Sequence, residues 1–390
     1  MKHSGSDKIR IALLGYGSIG RVHSLCYRQI PFLYPGAIPK PVLHTVYTSR
    51  TETAEAAREE ASFLNSTIDI ESIIANPEVD VIDITLPNML HRSVIEQAVR
   101  SGKFIYCEKP LAGTVADARA SADAVRTGDS ELGMVFQYRF VPAIIRAHQL
   151  ISEDRIGRIF SFRAAYLHSG YQNPQRPLSW RLKKSEGGSG ALGDLGSHVI
   201  DLVRYLLGEF ESVQGHLETY IAERPVSSGS HETAPVTVDD AAWIRARMRD
   251  GAVGTIEVSR FATGTLDDLR IEIYGEKGAL RFSLMDPNYL DFFDESNPGG
   301  AYGGDRGWKR IETVGFYPEA RVPTGRAPLG WTRFHAENQF RFLQAVYSGG
   351  SFEPGIDDGL YAQFVLDAVE RSHSAGGTWT TVFPATEEPV

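Results

Sequence analysis

The sequence predicts two domains of different class: an N-terminal α/β domain with a parallel sheet and a C-terminal domain built mainly on antiparallel strands. Its 390 residues exceed the size at which one hydrophobic core stops growing, about 250–300 residues. In the first third, short apolar strands alternate with helices, which is the pattern of βαβ units. Strand pairs joined by tight turns dominate the later sequence and indicate hairpins. We therefore expect domains at 1–137 and 138–390, and leave open whether the last helices pack against the first domain.

The elements of the first domain follow from apolar runs bounded by turn residues and from stretches with helical periodicity. A proline-rich insertion, Pro31–Pro41, interrupts the alternation after the first helix. The predicted strands are Ile9–Gly15, Val42–Thr48, Val79–Leu86, Phe104–Cys107 and Met134–Gln137, and the predicted helices are a stretch ending at Arg28, then Thr53–Ser62, His91–Ser101 and Val115–Arg126.

The second domain begins with a predicted strand and a long loop, and then changes to hairpins. Gly- and Pro-rich sequence at 286–330 is expected to be loop as well. The predicted elements are the strand Ile159–His168, the loop Ser169–Gly193, the helix Leu195–Leu207, the hairpin strands Ala241–Met248 with Val253–Phe261 and Leu269–Tyr274 with Ala279–Leu284, the helices Thr332–Tyr347 and Asp357–Ala375, and a last strand, Thr378–Phe383.

Composition excludes several functional classes. The formal net charge is -9, and the sequence has no basic tract, which argues against nucleic-acid binding. No segment approaches the roughly 20 apolar residues of a membrane span, so we expect no membrane association. Cys26 and Cys107 stand alone, which predicts neither a disulfide framework nor a metal cluster. A reducing, cytoplasmic location is the simplest expectation.

The segment Gly15-Tyr16-Gly17-Ser18-Ile19-Gly20 fits the pattern G-x-G-x-x-G. It follows an apolar strand and opens a helix, which is the context that makes this short pattern informative. In a Rossmann-type domain the three glycines allow the tight turn, the approach of a phosphate and close helix packing. We expect Gly15, Gly17, Ser18, Ile19 and Gly20 to bind a nicotinamide dinucleotide. The alternative is a glycine-rich turn without a ligand.

The end of the second strand carries information about the cofactor. An acidic residue there binds the adenosine ribose and disfavours a 2′-phosphate. This sequence has Ser49 and Arg50 at that point, and Arg50 could bind a 2′-phosphate or be a solvated surface charge. The expected cofactor is therefore NAD or NADP.

Two loops follow predicted parallel strands, where ligands bind in open α/β sheets. The first contains Thr85, Pro87, Asn88 and His91, and its polar residues could reach the nicotinamide or ribose, or instead cap the next helix.

The second loop is Glu108-Lys109-Pro110. Pro110 keeps Lys109 out of helical geometry, and the lysine could hold a substrate oxygen or transfer a proton. The alternative is a surface lysine before a turn proline. We include Glu108 and Lys109 among the expected cofactor contacts.

The predicted helix of the second domain begins with a polar cluster. Asp194, His198 and Asp201 have spacings of four and three residues, which places them on one helical face. An oriented Asp/His pair suits oxidation of a hydroxyl, because the hydroxyl proton needs a nearby base. The alternative is an N-cap aspartate followed by a surface histidine.

Together these segments resemble the Gfo/Idh/MocA family of oxidoreductases. The resemblance covers essentially the whole chain and rests on the glycine loop, Pro87-Asn88 with His91, Glu108-Lys109-Pro110, Tyr138-Arg139-Phe140, and Gly193-Asp194 with His198 and Asp201. It implies that Lys109, Asp194 and His198 are catalytic. It also implies an α+β C-terminal domain with an open, mostly antiparallel sheet, through which such proteins often form homodimers or homotetramers.

The leading hypothesis is an NAD(P)-dependent enzyme that oxidises a secondary hydroxyl of a sugar, anhydrosugar or polyol. Lys109 and His198 would serve the substrate hydroxyl, and the residues do not decide which of them is the immediate base. Asp194 would orient His198. The other expected substrate contacts are Arg139, Tyr166, His168 and Trp180, with Trp180 and Arg181 also expected near the cofactor.

Two other hypotheses remain open at this point. One is an NAD-dependent glycosidase that oxidises a sugar transiently and eliminates its aglycone, acting on an anionic glycoside such as a sulfoquinovoside. The other is a dinucleotide sensor without turnover, which would not require the Asp194 and His198 pair.

Overall fold

The computed structural model describes residues 7–313 and 317–383, which form two compact units. The first unit contains residues 7–140 and Tyr317–Leu360, and the second contains residues 141–313 and 361–383. The expected second domain, 138–390, is therefore not one unit, because residues 317–360 belong to the first.

The first unit is an α/β domain. Its strands are β1 (Lys8–Leu14), β2 (Lys40–Tyr47), β3 (Asn65–Thr67), β4 (Val81–Ile84), β5 (Phe104–Cys107) and β6 (Leu132–Met134), and its helices, numbered along the whole chain, are α1 (Ser18–Leu33), α2 (Thr51–Ala61), α3 (Ile70–Ala75), α4 (His91–Arg100), α5 (Val115–Thr127) and α9 (Trp331–Ser348). The last strand ends at Met134, and Gln137, which was expected to end it, instead begins the 3-10 turn Gln137–Phe140.

All six strands of this unit are parallel, in the order β3-β2-β1-β4-β5-β6. The predicted Rossmann-type sheet is thereby confirmed. Strand order reverses between β1 and β4, so the loops that follow these two strands flank a crevice at the carboxyl edge, where this type of sheet binds ligands.

Helix α9 completes the hydrophobic core of the first unit. Ile11 and Leu13 of β1 share one buried cluster with Phe340 and Leu343 of α9. The apolar face of α9 is thus buried against the parallel sheet and α1, which explains why a segment so far along the chain belongs to this unit.

The second unit contains the remaining elements. Its strands are β7 (Ile159–Leu167), β8 (Phe210–Glu218), β9 (Glu223–Pro225), β10 (Thr233–Pro235), β11 (Ala241–Met248), β12 (Val253–Ser259), β13 (Asp268–Gly275), β14 (Gly278–Ser283), β15 (Tyr289–Asp294), β16 (Trp308–Glu312) and β17 (Thr380–Thr381), and its helices are α6 (Pro142–Ser152), α7 (Lys184–Gly187), α8 (Ser197–Leu207) and α10 (Ile356–Ser374), which begins in the first unit.

Nine of these strands form one sheet, in the order β16-β15-β14-β13-β7-β12-β11-β8-β17. Only β7 and β12 are parallel, and every other neighbouring pair is antiparallel. The sheet is open, as expected, and both predicted hairpins are present as β11–β12 and β13–β14.

The prediction of loop at 286–330 is wrong in part, because β15 and β16 lie within it. Leu290 and Phe292 of β15 are buried and alternate with less buried neighbours, as a strand with one covered face requires. The glycine- and proline-rich residues 298–307 form the connection between these two strands, so their composition concealed the strands on either side.

Candidate active site

The glycine loop joins β1 to α1 at the carboxyl edge of the parallel sheet. Gly15 has φ of 100°, and a Cβ there would lie 2.8 Å from the carbonyl oxygen of Thr85. A Cβ on Gly20 would lie 2.5 Å from the Gly15 carbonyl oxygen, whereas one on Gly17 would meet no atom within 4 Å. Gly15 and Gly20 therefore shape the loop, and Gly17 leaves space for a phosphate to approach the backbone. This cradle fits the pyrophosphate of a dinucleotide.

Helix α1 begins directly after this loop. Gly17 is its N-cap and supplies no side-chain hydrogen bond, so the first N–H groups of the helix remain available for an anion. Ser18 is exposed and Ile19 half-buried. From β4, Thr85 Oγ1 donates a hydrogen bond of 2.9 Å to the Gly15 carbonyl oxygen, so its hydroxyl fixes the loop.

Ser49 and Arg50 lie exposed directly after β2. The carbonyl oxygen of Arg50 accepts hydrogen bonds of 2.9 Å from the hydroxyls of Thr48 and Thr53. Neither ion pair nor hydrogen bond engages the Arg50 guanidinium within the described part of the chain. The backbone of this turn is thus fixed while its cationic side chain is free to meet a ligand.

His91 begins α4 directly after the 3-10 turn Asn88–Leu90, and its expected contact with the cofactor stays a prediction. Its side chain is fully buried, with Nε2 2.9 Å from the Leu86 carbonyl oxygen and Nδ1 3.2 Å from that of Leu111. Burial lowers the pKa of His91, so the imidazole is neutral and its single N–H donates to only one of these two carbonyl oxygens. Asn88, also buried, begins the 3-10 turn Asn88–Leu90, and Pro87 before it is half-buried.

The segment Glu108-Lys109-Pro110 follows β5 and contains a cis peptide bond before Pro110. Lys109 is half-buried, and Glu108 and Pro110 are buried. The backbone N–H of Lys109 donates a hydrogen bond of 3.1 Å to Glu108 Oε2. Glu108 thus holds the lysine backbone with its own carboxylate, which is a more specific role than the general cofactor contact that we expected.

A buried ion cluster, formed by His23, Asp83 and Glu108, lies beside this segment and was not predicted. His23 Nδ1 lies 3.0 and 2.9 Å from the two carboxylate oxygens of Asp83, and Nε2 lies 3.2 Å from Glu108 Oε1. Burial alone would lower the pKa of His23, but the two carboxylates outweigh it and raise that pKa to about 10. Burial would raise the pKa of Glu108, and His23 more than reverses this. The cluster therefore holds a protonated imidazole between two carboxylates at neutral pH.

Arg139, one of the expected substrate contacts, is buried and forms an ion pair. It lies in the 3-10 turn Gln137–Phe140, its side chain is 7% exposed, and its guanidinium lies 2.8 Å from Asp358. Both partners belong to the first unit. The ion pair helps to attach residues 317–360 to this unit, and the contact of Arg139 with a substrate stays a prediction.

In the second unit, the polar cluster of Asp194, His198 and Asp201 spans the start of α8. Leu192–Gly196 form a π-helical turn, and the regular helix starts at Ser197. Asp194 therefore lies in the turn that precedes α8, whereas His198 and Asp201 lie within the helix. Asp194 Oδ2 accepts a hydrogen bond of 2.9 Å from Arg260, whose side chain is 1% exposed. The predicted orientation of His198 by Asp194 remains a prediction.

His198 lies beside two expected substrate residues. Its ring centroid is 6.0 Å from that of Tyr166, whose hydroxyl donates a 2.7 Å hydrogen bond to Asp267. His168 accepts a 3.0 Å hydrogen bond from the Gly170 backbone at Nδ1. Burial lowers the pKa of His168, opposed by the charge of Asp194, so this imidazole is neutral and its Nε2 is a donor. The second unit thus brings Tyr166, His168, Asp194 and His198 into one polar neighbourhood.

Trp180 and Arg181 lie in the 3-10 turn Trp180–Leu182. Both are half-buried, and the Arg181 guanidinium stacks 4.4 Å from the Trp180 ring centroid. Arg224, which is fully buried, anchors the loop before them by donating to the Tyr171 carbonyl oxygen at 2.6 Å. The guanidinium of Arg260 also lies 4.6 Å from the Tyr171 ring centroid. These two arginines fix part of the long loop that the sequence predicted at Ser169–Gly193.

Neither a metal-binding group nor a membrane span emerges from the described ranges. Residues 7–313 and 317–383 contain no group of three or more His, Cys, Asp or Glu side chains placed to hold a metal ion. Within the same ranges, no helix is long and apolar enough to cross a membrane.

Comparison with known proteins places both units in one family. The family model of the GFO/IDH/MocA oxidoreductases, described as an NAD-binding Rossmann fold, matches residues 9–135, and the model of the GFO/IDH/MocA C-terminal domain matches residues 144–281. Levoglucosan dehydrogenase of Pseudarthrobacter phenanthrenivorans is 36% identical to the chain, covering 96% of it and 98% of that protein.

Solved structures agree with this comparison. A levoglucosan dehydrogenase in complex with NADH and levoglucosan superposes with a TM-score of 0.90 at 36% identity, covering 97% of the chain and 100% of its own. An oxidoreductase domain protein from Kribbella flavida superposes with a TM-score of 0.89 at 35% identity, with the same two coverages.

Proposed function

The chain belongs to the Gfo/Idh/MocA family of NAD-binding oxidoreductases, and from this premise we propose that it is an NAD-dependent sugar dehydrogenase acting on levoglucosan or a similar anhydrosugar. The observation that carries the proposal is the likeness to levoglucosan dehydrogenase over nearly the whole length of both chains. The cradle formed by Gly15, Gly17 and Gly20 supports it, because that cradle has the shape a dinucleotide requires.

The proposed reaction converts a secondary alcohol into a ketone. When bound, NAD supplies the acceptor for the hydride that leaves the carbinol carbon. The hydroxyl proton must go to a base of this chain, and we assign this role to His198. His198 is 5% exposed, and among the titratable residues of α8 histidine is the type whose ordinary pKa lies nearest to neutral pH. We assign to Lys109 the stabilisation of the developing alkoxide by its positive charge.

Asp194 and its neighbours position the second half of this machinery. The Arg260 ion pair holds the Asp194 carboxylate in place, and we propose that this carboxylate in turn orients His198. Tyr166, His168 and Trp180 are proposed to contact the sugar, because an aromatic face suits the apolar side of a pyranose ring and a neutral imidazole can donate to a hydroxyl.

The glycosidase alternative finds no support among the relatives and structures described above, which are dehydrogenases and oxidoreductases. The sensor alternative is likewise disfavoured by this family membership.

The test is an oxidation assay with levoglucosan, other anhydrosugars and polyols. The reaction is monitored by the absorbance of the reduced nicotinamide that it forms. We expect levoglucosan to be among the best substrates, and Lys109→Ala and His198→Ala to lower kcat by roughly 10²- to 10⁴-fold. Lys277→Ala, which changes an exposed lysine in the turn between β13 and β14, is the matched control. Loss of NAD⁺ reduction without loss of NADH binding in the two active-site variants supports the assignment. Near-full turnover in either variant contradicts its assigned role.

We also propose a cytoplasmic location for the protein. Cys26 and Cys107 are buried free thiols, which suits a reducing compartment.

We further propose that the chain forms a homodimer or homotetramer through the open sheet. The outward face of the sheet carries an exposed groove whose lining includes Gln214, His216, Trp243, Arg245, Thr255 and Glu257. A second copy covering Trp243 would remove an exposed aromatic from water. Light scattering should then give a particle mass that is two or four times the 43.0 kDa mass of one chain. Trp243→Glu should reduce the measured mass to that of one chain, and a monomeric wild type contradicts the proposal.

A further inference from the structure

The buried ion cluster of His23, Asp83 and Glu108 has no part in the reaction as proposed so far. Its three side chains come from α1, β4 and the end of β5, and none of them is more than 9% exposed. Taking charged groups out of water is costly, and well-packed apolar residues in their place are often as stable or more stable. Stability alone therefore does not explain why this position contains three ionisable groups.

The hydrogen bonds of the cluster connect β4 to the backbone of Lys109, because the His23 imidazolium donates to both carboxylates and the Lys109 N–H donates to Glu108. Nδ1 of His23 is held by both carboxylate oxygens of Asp83, at 3.0 and 2.9 Å. Nε2 holds Glu108 Oε1 at 3.2 Å, and the other oxygen of that carboxylate accepts the Lys109 N–H at 3.1 Å. The imidazole therefore bridges a rigid strand and the carboxylate that fixes the Lys109 peptide.

The surroundings of the imidazole keep this bridge in place. The ring of Tyr106 from β5 lies 5.5 Å from it, and the ring of His335 from α9 lies 6.0 Å from it. Burial and the positive charge of His23 lower the pKa of His335 to about 3, so His335 is neutral and does not compete for the carboxylates. His23 is thus the cation that partners both Asp83 and Glu108.

We propose that His23 is a positioning residue for Lys109, acting through the Glu108 carboxylate; the catalytic meaning of this role rests on the proposed dehydrogenase function. In this cluster, one carboxylate oxygen of Glu108 is held by the His23 imidazole, and the other accepts the hydrogen bond from the Lys109 backbone. Loss of the first contact frees Glu108 to rotate, and the Lys109 backbone loses its acceptor.

A pair of substitutions separates this role from a general contribution to packing. The amide nitrogen of a glutamine can replace Nε2 of an imidazole, whereas that of an asparagine can replace Nδ1. His23→Gln therefore keeps the donor to Glu108, and His23→Asn keeps only the donor to Asp83. We expect kcat to fall by no more than about threefold in His23→Gln and by roughly 10- to 100-fold in His23→Asn, with KM for the sugar changed little in both.

The control is the same pair of substitutions at another buried histidine of the first unit. His44 in β2 is 4% exposed and hydrogen-bonds Thr45. His44→Gln and His44→Asn should leave kcat unchanged. Equal losses of kcat in His23→Gln and His23→Asn, accompanied by equal losses of thermal stability, would overturn the proposal, because a structural role does not distinguish the two ends of the ring.

A second measurement does not need activity. In protein labelled with 15N-lysine, the Lys109 amide signal is assigned by its loss in Lys109→Arg. Its deuterium exchange should be about tenfold faster in His23→Asn than in wild type and unchanged in His23→Gln; equal rates in all three would overturn the proposal.

This measurement also separates the proposal from the proposed function. If the wild type oxidises no sugar, the dehydrogenase assignment fails while the exchange rates still decide whether His23 positions Lys109. If His23→Asn does not fold, Asp83→Asn is the alternative variant. It removes the carboxylate that holds Nδ1 of His23 while keeping the length of the side chain at position 83. Unchanged exchange at Lys109 in that variant would also overturn the proposal.

Discussion

Alanine substitutions at Gly17 and Gly20 of the glycine loop are predicted to have different effects, one on cofactor affinity and the other on stability. A Cβ on Gly20 would lie 2.5 Å from the Gly15 carbonyl oxygen, whereas ordinary contact begins at 3.4 Å, so about 0.9 Å of separation is missing. The obstacle is backbone, and the same oxygen is held by Thr85, so the loop cannot yield without losing a hydrogen bond. Overpacking of this kind costs about 2 kcal/mol.

Gly17 is the matched control within the same loop. Its φ of -80° suits alanine, and a Cβ there would meet no protein atom within 4 Å. The free protein should therefore tolerate Gly17→Ala with a change in unfolding free energy of less than about 1 kcal/mol, because the poorer N-cap and the stiffer unfolded chain offset each other. The same Cβ would occupy the space through which a pyrophosphate approaches the backbone.

The assay is thermal unfolding of the cofactor-free protein combined with fluorescence titration of NADH. Gly20→Ala should lower Tm by roughly 4–8 °C, and Gly17→Ala should leave Tm nearly unchanged while raising the Kd for NADH by about tenfold or more, which is at least ~1.4 kcal/mol. Wild-type affinity in Gly17→Ala, or an unchanged Tm in Gly20→Ala, would refute the reasoning about how this loop is built.

Four further predictions concern residues whose environment the structure defines. Arg139→Met should reduce the unfolding free energy by about 3 kcal/mol in urea, because it leaves Asp358 without its buried cation, while KM for the sugar stays unchanged; a raised KM with normal stability would instead indicate a substrate contact. Because folding raises the pKa of His23 from 6.5 to about 10, the stability it contributes is complete below pH 6.5 and lost as pH rises toward 10, so urea denaturation should show a decline over that range that is absent in His23→Gln. Since folding lowers the pKa of His335 from 6.5 to about 3, stability should fall with pH below 6.5, and His335→Phe should remove that part of the acid sensitivity. Ser49→Asp should weaken NADP binding but not NAD binding, because an acid at the end of β2 repels a 2′-phosphate; equal effects on both cofactors would count against this location for the ribose.

Local rules were sufficient where short-range geometry decides the structure. The G-x-G-x-x-G loop is an example, since its turn and helix start depend on the chain nearby. The hairpins at β11–β12 and β13–β14 are set by their own turn residues in the same way. The expected place of Lys109 after a parallel strand depended only on the alternation of strands and helices.

The missed features depend on partners that are far apart in sequence. Arg260 pairs with Asp194 across 66 positions, and His23 pairs with Asp83 across 60. One warning was present in the sequence: Asp83 lies within an apolar strand, and a buried carboxylate requires a cation or several donors. Asp194 illustrates the other limit, because the π-helical turn Leu192–Gly196 delays the start of the regular helix to Ser197, and ordinary helical spacing cannot anticipate such a turn.

The return of residues 317–360 to the first unit has a consequence for synthesis of the protein. The β1 strand shares its core cluster with Phe340 and Leu343, so the dinucleotide-binding half is incomplete when its first 140 residues leave the ribosome. At about 5–20 residues per second, the missing segment follows roughly ten to forty seconds later. During that interval the residues of β1 that pack against α9 lack this partner, so residues 317–360 decide when the unit begun by the first 140 residues becomes complete. A fragment cut after Phe140 would therefore lack part of its own core, however natural that boundary looks in the sequence.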